Sequence, residues 1–171
     1  SISILEKIKE GDLISPASTE EDLVNDALEL TFFIEQALPD SNGALKLYAT
    51  ARKLLAQKKR QEAVQMFEKV ARQFPASPVA PKAYLEAANL YRTLQKPEKE
   101  IQAYQNILQN YQNSIYTDVA MYQLALAYEK SGRIVEAVDT YEKFLVDFPQ
   151  SIYLEEARQR LRALREHANQ I

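Results

Sequence analysis

Cysteine is absent from the 171 residues, histidine occurs once and glycine three times. Without thiols there is no disulfide, no thiolate-bound metal and no cysteine nucleophile, and such a chain suits an oxidising or a reducing compartment equally. Three scattered glycines cannot form a phosphate-cradling loop. The lack of long β-branched alternation also argues against a sheet. The single imidazole, His167, has no partner at a spacing that suits catalysis or metal ligation, and reads as a solvated residue near a helix C-terminus. No run approaches the ~18 apolar residues of a membrane span. The most apolar stretch, Ala27 to Leu38, is interrupted by Glu29 and Glu35. The chain opens on Ser1 without a basic-then-apolar leader, which leaves the compartment open. Basic excess is missing too, with a formal net charge of -3. Lys58, Lys59 and Arg60 fall in a turn, and Arg158, Arg160, Arg162 and Arg165 alternate with Glu155, Glu156 and Glu166 at spacings that support a helix. This is not the footprint of a nucleic-acid binder.

What the chain does have is a pattern that recurs at 37 residues: Ala120, Leu124, Tyr128, Tyr141, Phe148 and Ser151 fall on Ala83, Ala87, Tyr91, Tyr104, Tyr111 and Ser114. Within one unit, apolar residues at spacings of three and four trace a helix ending at Ser131-Gly132, where glycine tolerates a left-handed residue. A second stripe runs through Ile134, Ala137, Val138, Tyr141, Phe144 and Leu145 to Phe148-Pro149. Two antiparallel helices on so short a turn form an αα-hairpin. One hairpin cannot bury both stripes, so a neighbour of the same shape has to cover it. Tyr91, Tyr104, Tyr128 and Tyr141 then read as interface-filling side chains.

Taken in order, the chain opens with a short helix to Glu10, read as the remnant of an earlier unit, and Ser18 with Glu21 makes a capping box for an apolar helix through Leu38. Pro39 to Gly43 is the next break. Helices follow over about 44–57, 61–74, 79–95, 98–111, 115–130 and 134–147, then from Ile152 to about His167. Pro78 and Pro97 stand where a first helical residue accepts proline. The last helix carries Arg158, Arg162 and Arg165 where earlier ones are apolar, which suits the end of a solenoid.

These hairpins, with small residues at the crossings, aromatics on the second helix and a closing proline, resemble tetratricopeptide repeats. The units are about 44–75, 81–112 and 118–149, with a capping helix over 151–168 and an N-terminal capping or remnant segment over 1–40. The longer unit and Phe-Pro-x-Ser at Phe74 to Ser77 and Phe148 to Ser151 resemble bacterial envelope proteins of the outer-membrane assembly lipoprotein and Tol-Pal-associated coordinator types. The resemblance implies an all-α, right-handed solenoid of about nine helices without strands. Two departures stand out: Glu100 replaces the small residue of Ala63 and Ala137, and Gln112 replaces the closing proline. A carboxylate in a tight crossing is costly, so the second hairpin is expected to splay or Glu100 to reach outward.

By the same resemblance the first helices line a concave face. Tyr48, Leu85 and Tyr122 then make one column, on the side turned from each unit's own second helix, and Arg52, Asn89 and Leu126 a second. Lys82, Arg92, Val119 and Glu129 stand at the edges. Apolar and aromatic anchors with a few polar groups suit an extended peptide or a helix. Tyr48 and Glu86 occupy two places where some repeat proteins carry clamps for chaperone C-termini, so that specificity is not expected. The sequence thus points to a non-enzymatic scaffold, without cofactor, metal or catalytic residue, binding a protein segment. An envelope or periplasmic setting is favoured and a cytoplasmic one stays open. The alternative is a self-associating module, a homodimer or the C-terminal part of a longer repeat protein, using the apolar helix from Leu23 to Leu38 or the last helix.

Overall fold

A computed structural model describes residues 42–168. Among the described residues there are seven helices and no strand: α1 (Asn42–Ala56), α2 (Arg60–Gln73), α3 (Val79–Thr93), α4 (Pro97–Asn110), α5 (Thr117–Lys130), α6 (Ile134–Asp147) and α7 (Leu154–Ala168). The two further helices expected before residue 41 lie outside the described residues, so seven rather than nine are observed. Boundaries fall within two residues of the apolar pattern. One difference has a local cause. Gly43, expected in a break, is inside α1, and a Cβ there would stand 2.6 Å from the Phe74 ring. Glycine lets the chain become helical against that ring.

The chain divides into two compact units, Ser1–Ala83 and Tyr84–Ile171, with the division inside α3. In the first, α1 buries Ala44, Tyr48 and Ala51, a stripe at spacings of four and three, against Ala63, Val64, Phe67 and Val70 of α2. The alanines let the helices approach, and the Tyr48 and Phe67 rings meet edge to face at 5.2 Å.

In the second unit α5 is buried on nearly every side, from Ala120 through Tyr128, because it packs between α4 and α6. Tyr104, Tyr122, Tyr141, Phe144 and Ile107 are the large, wholly enclosed side chains of this core. The last helix lays Ala157 and Leu161 on it and leaves Arg158, Arg162 and Arg165 exposed. The hydroxyl of Tyr128 accepts from Gln105 Nε2 at 2.8 Å.

The joints repeat with the same 37-residue period as the core. Positive φ occurs at Lys58 (61°), Gln95 (55°) and Gly132 (72°). At each, the following N–H donates back to Leu54, Tyr91 or Tyr128, and the left-handed residue's own N–H to Leu55, Arg92 or Glu129. That is the Schellman pattern, which satisfies carbonyls left open at a helix end. Between hairpins, the Ser77, Ser114 and Ser151 hydroxyls accept from the N–H of Val79, Tyr116 and Tyr153. Gln112 in place of proline changes nothing measurable here: the backbone at Tyr111 is at φ -136°, ψ 46°, against -129°, 56° at Phe74 and -127°, 59° at Phe148. The serine and the backbone bonds set this corner.

Only the third joint has glycine, so side chains at the first two carry left-handed strain of about 1–2 kcal/mol each. Replacing Gln95 by glycine removes that strain and adds about 0.4–1 kcal/mol of unfolded-chain entropy, so we expect a net gain of roughly 0.5–1 kcal/mol. Gly132→Ala is expected to cost about 1 kcal/mol by the same balance reversed. Nothing lies within 4 Å of a Cβ at Gly132, so the loss would be purely conformational. Urea denaturation of the two variants measures both signs.

Candidate partner-binding face

The expected face draws on the first helix of each hairpin, and within each unit the structure separates its residues into two groups. Tyr48 is 4% exposed and lies on Phe67 of its own hairpin. Tyr122 is 2% exposed, tilted against Tyr141 at 6.3 Å and Phe144 at 5.8 Å, and stacked on Tyr153 at 4.6 Å. Both face their own second helix, not away from it as the sequence suggested. The signal was available, since Tyr48 shares a helical stripe with Ala44 and Ala51. Leu85 and Leu126 are also buried. None of these four presents a free anchor in the isolated chain.

The polar members and Val119 remain at the surface. Arg52 is exposed and Lys82 half-buried in the first unit; Asn89, Arg92, Val119 and Glu129 are half-buried in the second. Arg92 Nη2 donates to Asn89 Oδ1 and Nη1 to Gln123 Oε1, each at 2.6 Å, while Nε stands 3.9 Å from Glu100 Oε1. The Tyr104 hydroxyl reaches Asn89 Oδ1 at 3.5 Å. One guanidinium therefore ties α3, α4 and α5 together, using the fork geometry that suits arginine.

Glu100, expected to splay the hairpin or turn outward, does not turn outward and is 7% exposed. Burial raises its pKa above the ordinary carboxylate value, and Arg92 and then Lys130 oppose that rise. A carboxylate can occupy the crossing because a cation from the first helix meets it there.

At the equivalent place in the next hairpin the charge is reversed. Glu129 accepts from the Tyr141 hydroxyl at 2.9 Å and pairs with Arg160 Nη1 at 3.2 Å, joining α5, α6 and α7. Arg160 also holds Glu156 at 3.1 Å. The Tyr122 hydroxyl is buried beside Glu156 and Arg160 without a well-formed hydrogen bond, and desolvation, with Glu156 adding to it, pushes its pKa up to about 12. Gln123, Glu100 and Arg160 were missed as members of these clusters. Gln123 and Arg160 lie 31 positions from Arg92 and Glu129, and Glu100 meets Arg92 across a hairpin, so no spacing along one helix relates them.

Among the described residues no three His, Cys, Asp or Glu side chains gather as a metal would require. Lys58, Lys59 and Arg60 are exposed at the α1 to α2 turn. No described helix is long and apolar enough to cross a membrane.

The family model of the YfiO outer membrane lipoproteins matches residues 40–170, a span that takes in all seven helices. The chain belongs to the YfiO family. No curated protein gives a match. The match covers the repeat of 37 residues and both of its joints, so the geometry described above is that of a YfiO-family helical repeat.

Proposed function

We propose that this YfiO-family chain is a non-enzymatic interaction scaffold of the bacterial envelope, of the outer-membrane assembly lipoprotein type, that binds an extended or helical protein segment. The observation that carries this reading is a contrast inside the repeat. Positions that set the joints and the core recur: Ser77, Ser114 and Ser151, or Ala51, Ala88 and Ala125. First-helix surface positions at the same period do not: Arg52 and Asn89, or Lys82 and Val119. A frame that repeats while its surface varies suits a scaffold, where shape is supplied by the backbone and selectivity by the side chains it displays.

Within the second unit the proposed contact residues are Asn89, Arg92, Val119 and Glu129, with Gln123 between them; in the first unit they are Arg52 and Lys82. The buried Tyr48, Leu85, Tyr122 and Leu126 would support this surface from beneath. Asn89→Ala combined with Val119→Ala is expected to weaken recovery of a cross-linked partner from outer-membrane fractions about tenfold, the effect of losing roughly 1.4 kcal/mol of contact. The helical circular dichroism should be retained. Unchanged recovery by the folded variant would remove this face from the account.

A further inference from the structure

Opposite the candidate face, the second unit carries a groove that no contact described so far uses. Its 520 Å³ lie between α4 and α6, with an apolar floor of Leu108, Met121, Leu124 and Phe148. A second recess of 430 Å³ adjoins it, sharing Asp147 and Phe148 and edged by Ile115, which is 60% exposed. On α5 the groove takes Thr117, Met121 and Leu124, at spacings of four and three. With 3.6 residues per turn, that stripe points well away from Val119, Leu126 and Glu129.

The rim is predominantly acidic. Asp139 and Asp147 stand exposed on α6, and Asp118 sits at the second recess, its Oδ2 accepting from the Ser151 hydroxyl at 3.0 Å. Among the described residues Lys143 is the only cation lining either recess. Recesses of a few hundred Å³ take side chains rather than a folded domain. An apolar floor under an acidic edge complements a segment with large apolar residues flanked by lysine or arginine.

We propose that this groove docks a short basic segment of another protein, anchored by two apolar side chains. It is a second surface, separate from the first-helix face, so either assignment can fail alone. Because these 171 residues contain no cysteine, Ile115→Cys gives them a single labelling point. A dye there reports titration with a synthetic peptide carrying two leucines one helical turn apart among lysines. A matched peptide with glutamates for lysines serves as comparison.

The lysine peptide is expected to bind at least about tenfold tighter than the glutamate peptide, and less tightly at high salt. Asp139→Asn with Asp147→Asn should weaken it about tenfold. Glu155→Gln with Glu166→Gln, which removes as much charge from α7, should leave it unchanged. Equal loss in both double variants would mean unspecific attraction and overturn the proposal. So would equal binding of the two peptides, or no binding. A benzophenone maleimide on the same cysteine, activated in cells that make the protein, is expected to capture a net-basic segment of another chain. An acidic segment, a second copy of this chain, or no adduct would overturn the assignment.

Discussion

Tyr141→Ala is expected to lower the unfolding free energy by about 3–5 kcal/mol, the range for deleting a buried aromatic side chain. The ring is fully enclosed and meets Tyr122, while its hydroxyl donates to Glu129, which also holds Arg160. Truncation opens a cavity at the junction of α5 and α6 and takes a donor from the carboxylate that ties α7 to them. Against a typical total of 5–15 kcal/mol this is a large share. At about 2–4 °C per kcal/mol for a chain of this size, the melting temperature should fall by roughly 10 °C. Tyr141→Phe keeps the ring and leaves Glu129 its arginine, so about 1 kcal/mol is expected. Guanidinium unfolding of the two variants separates ring from hydroxyl. Equal losses would show that the ring does not hold this core.

Arg92→Ala is expected to cost about 1–3 kcal/mol at neutral pH, below the 3–5 kcal/mol of a fully buried pair broken on one side. The discount reflects an Arg92 side chain 38% exposed and Lys130 as a second cation near Glu100. Glu100→Ala restores the small residue of Ala63 and Ala137, and is expected to be neutral or stabilising by roughly 1 kcal/mol. With Glu100 already gone, removing Arg92 should cost less than it does alone, the sign of a coupled pair.

The pH dependence follows from burial. Folding raises the Glu100 pKa above 4.5, so between that value and the folded one the native state binds more protons than the unfolded state. The contribution to stability therefore falls as pH rises through the window and recovers on acidification. Arg92→Ala, by removing the cation that holds the pKa down, should widen the window upward, and Glu100→Ala should abolish this slope. Thermal melts from pH 4 to 8 would show it; a slope unchanged in Glu100→Ala would place the titration elsewhere.

Much of this fold is legible in the chain because its signals are local. Apolar spacing locates the helices, Gly132 marks a left-handed turn, and Ser114 and Ser151 mark corners. Lys58 and Gln95 hid the same turn, since nothing in a lysine or glutamine announces positive φ; only the backbone bonds reveal it. Gln112 looked like a departure because proline is a conspicuous breaker, yet this corner rests on serine and main-chain bonds. The site was harder to read. Tyr48 and Tyr122 belong to the core stripe, and a tyrosine serves a core or a surface equally well. Glu100 with Arg92, and Glu129 with Arg160, depend on how helices meet in space, which periodicity along one helix does not encode.

The recurrence of both joints at 37 residues constrains how such a chain can change length. Excising or duplicating one whole period would join a corner to a matching corner and leave the main-chain bonding scheme of each hinge intact. A change of one or two residues within a helix would swing everything beyond it by about 100° per residue, carrying apolar stripes toward water. The backbone thus permits growth in whole modules. The clasps do not follow so freely: a cation at position 92 and an anion at position 129 require different neighbours, so interchanged modules would meet with mismatched charges.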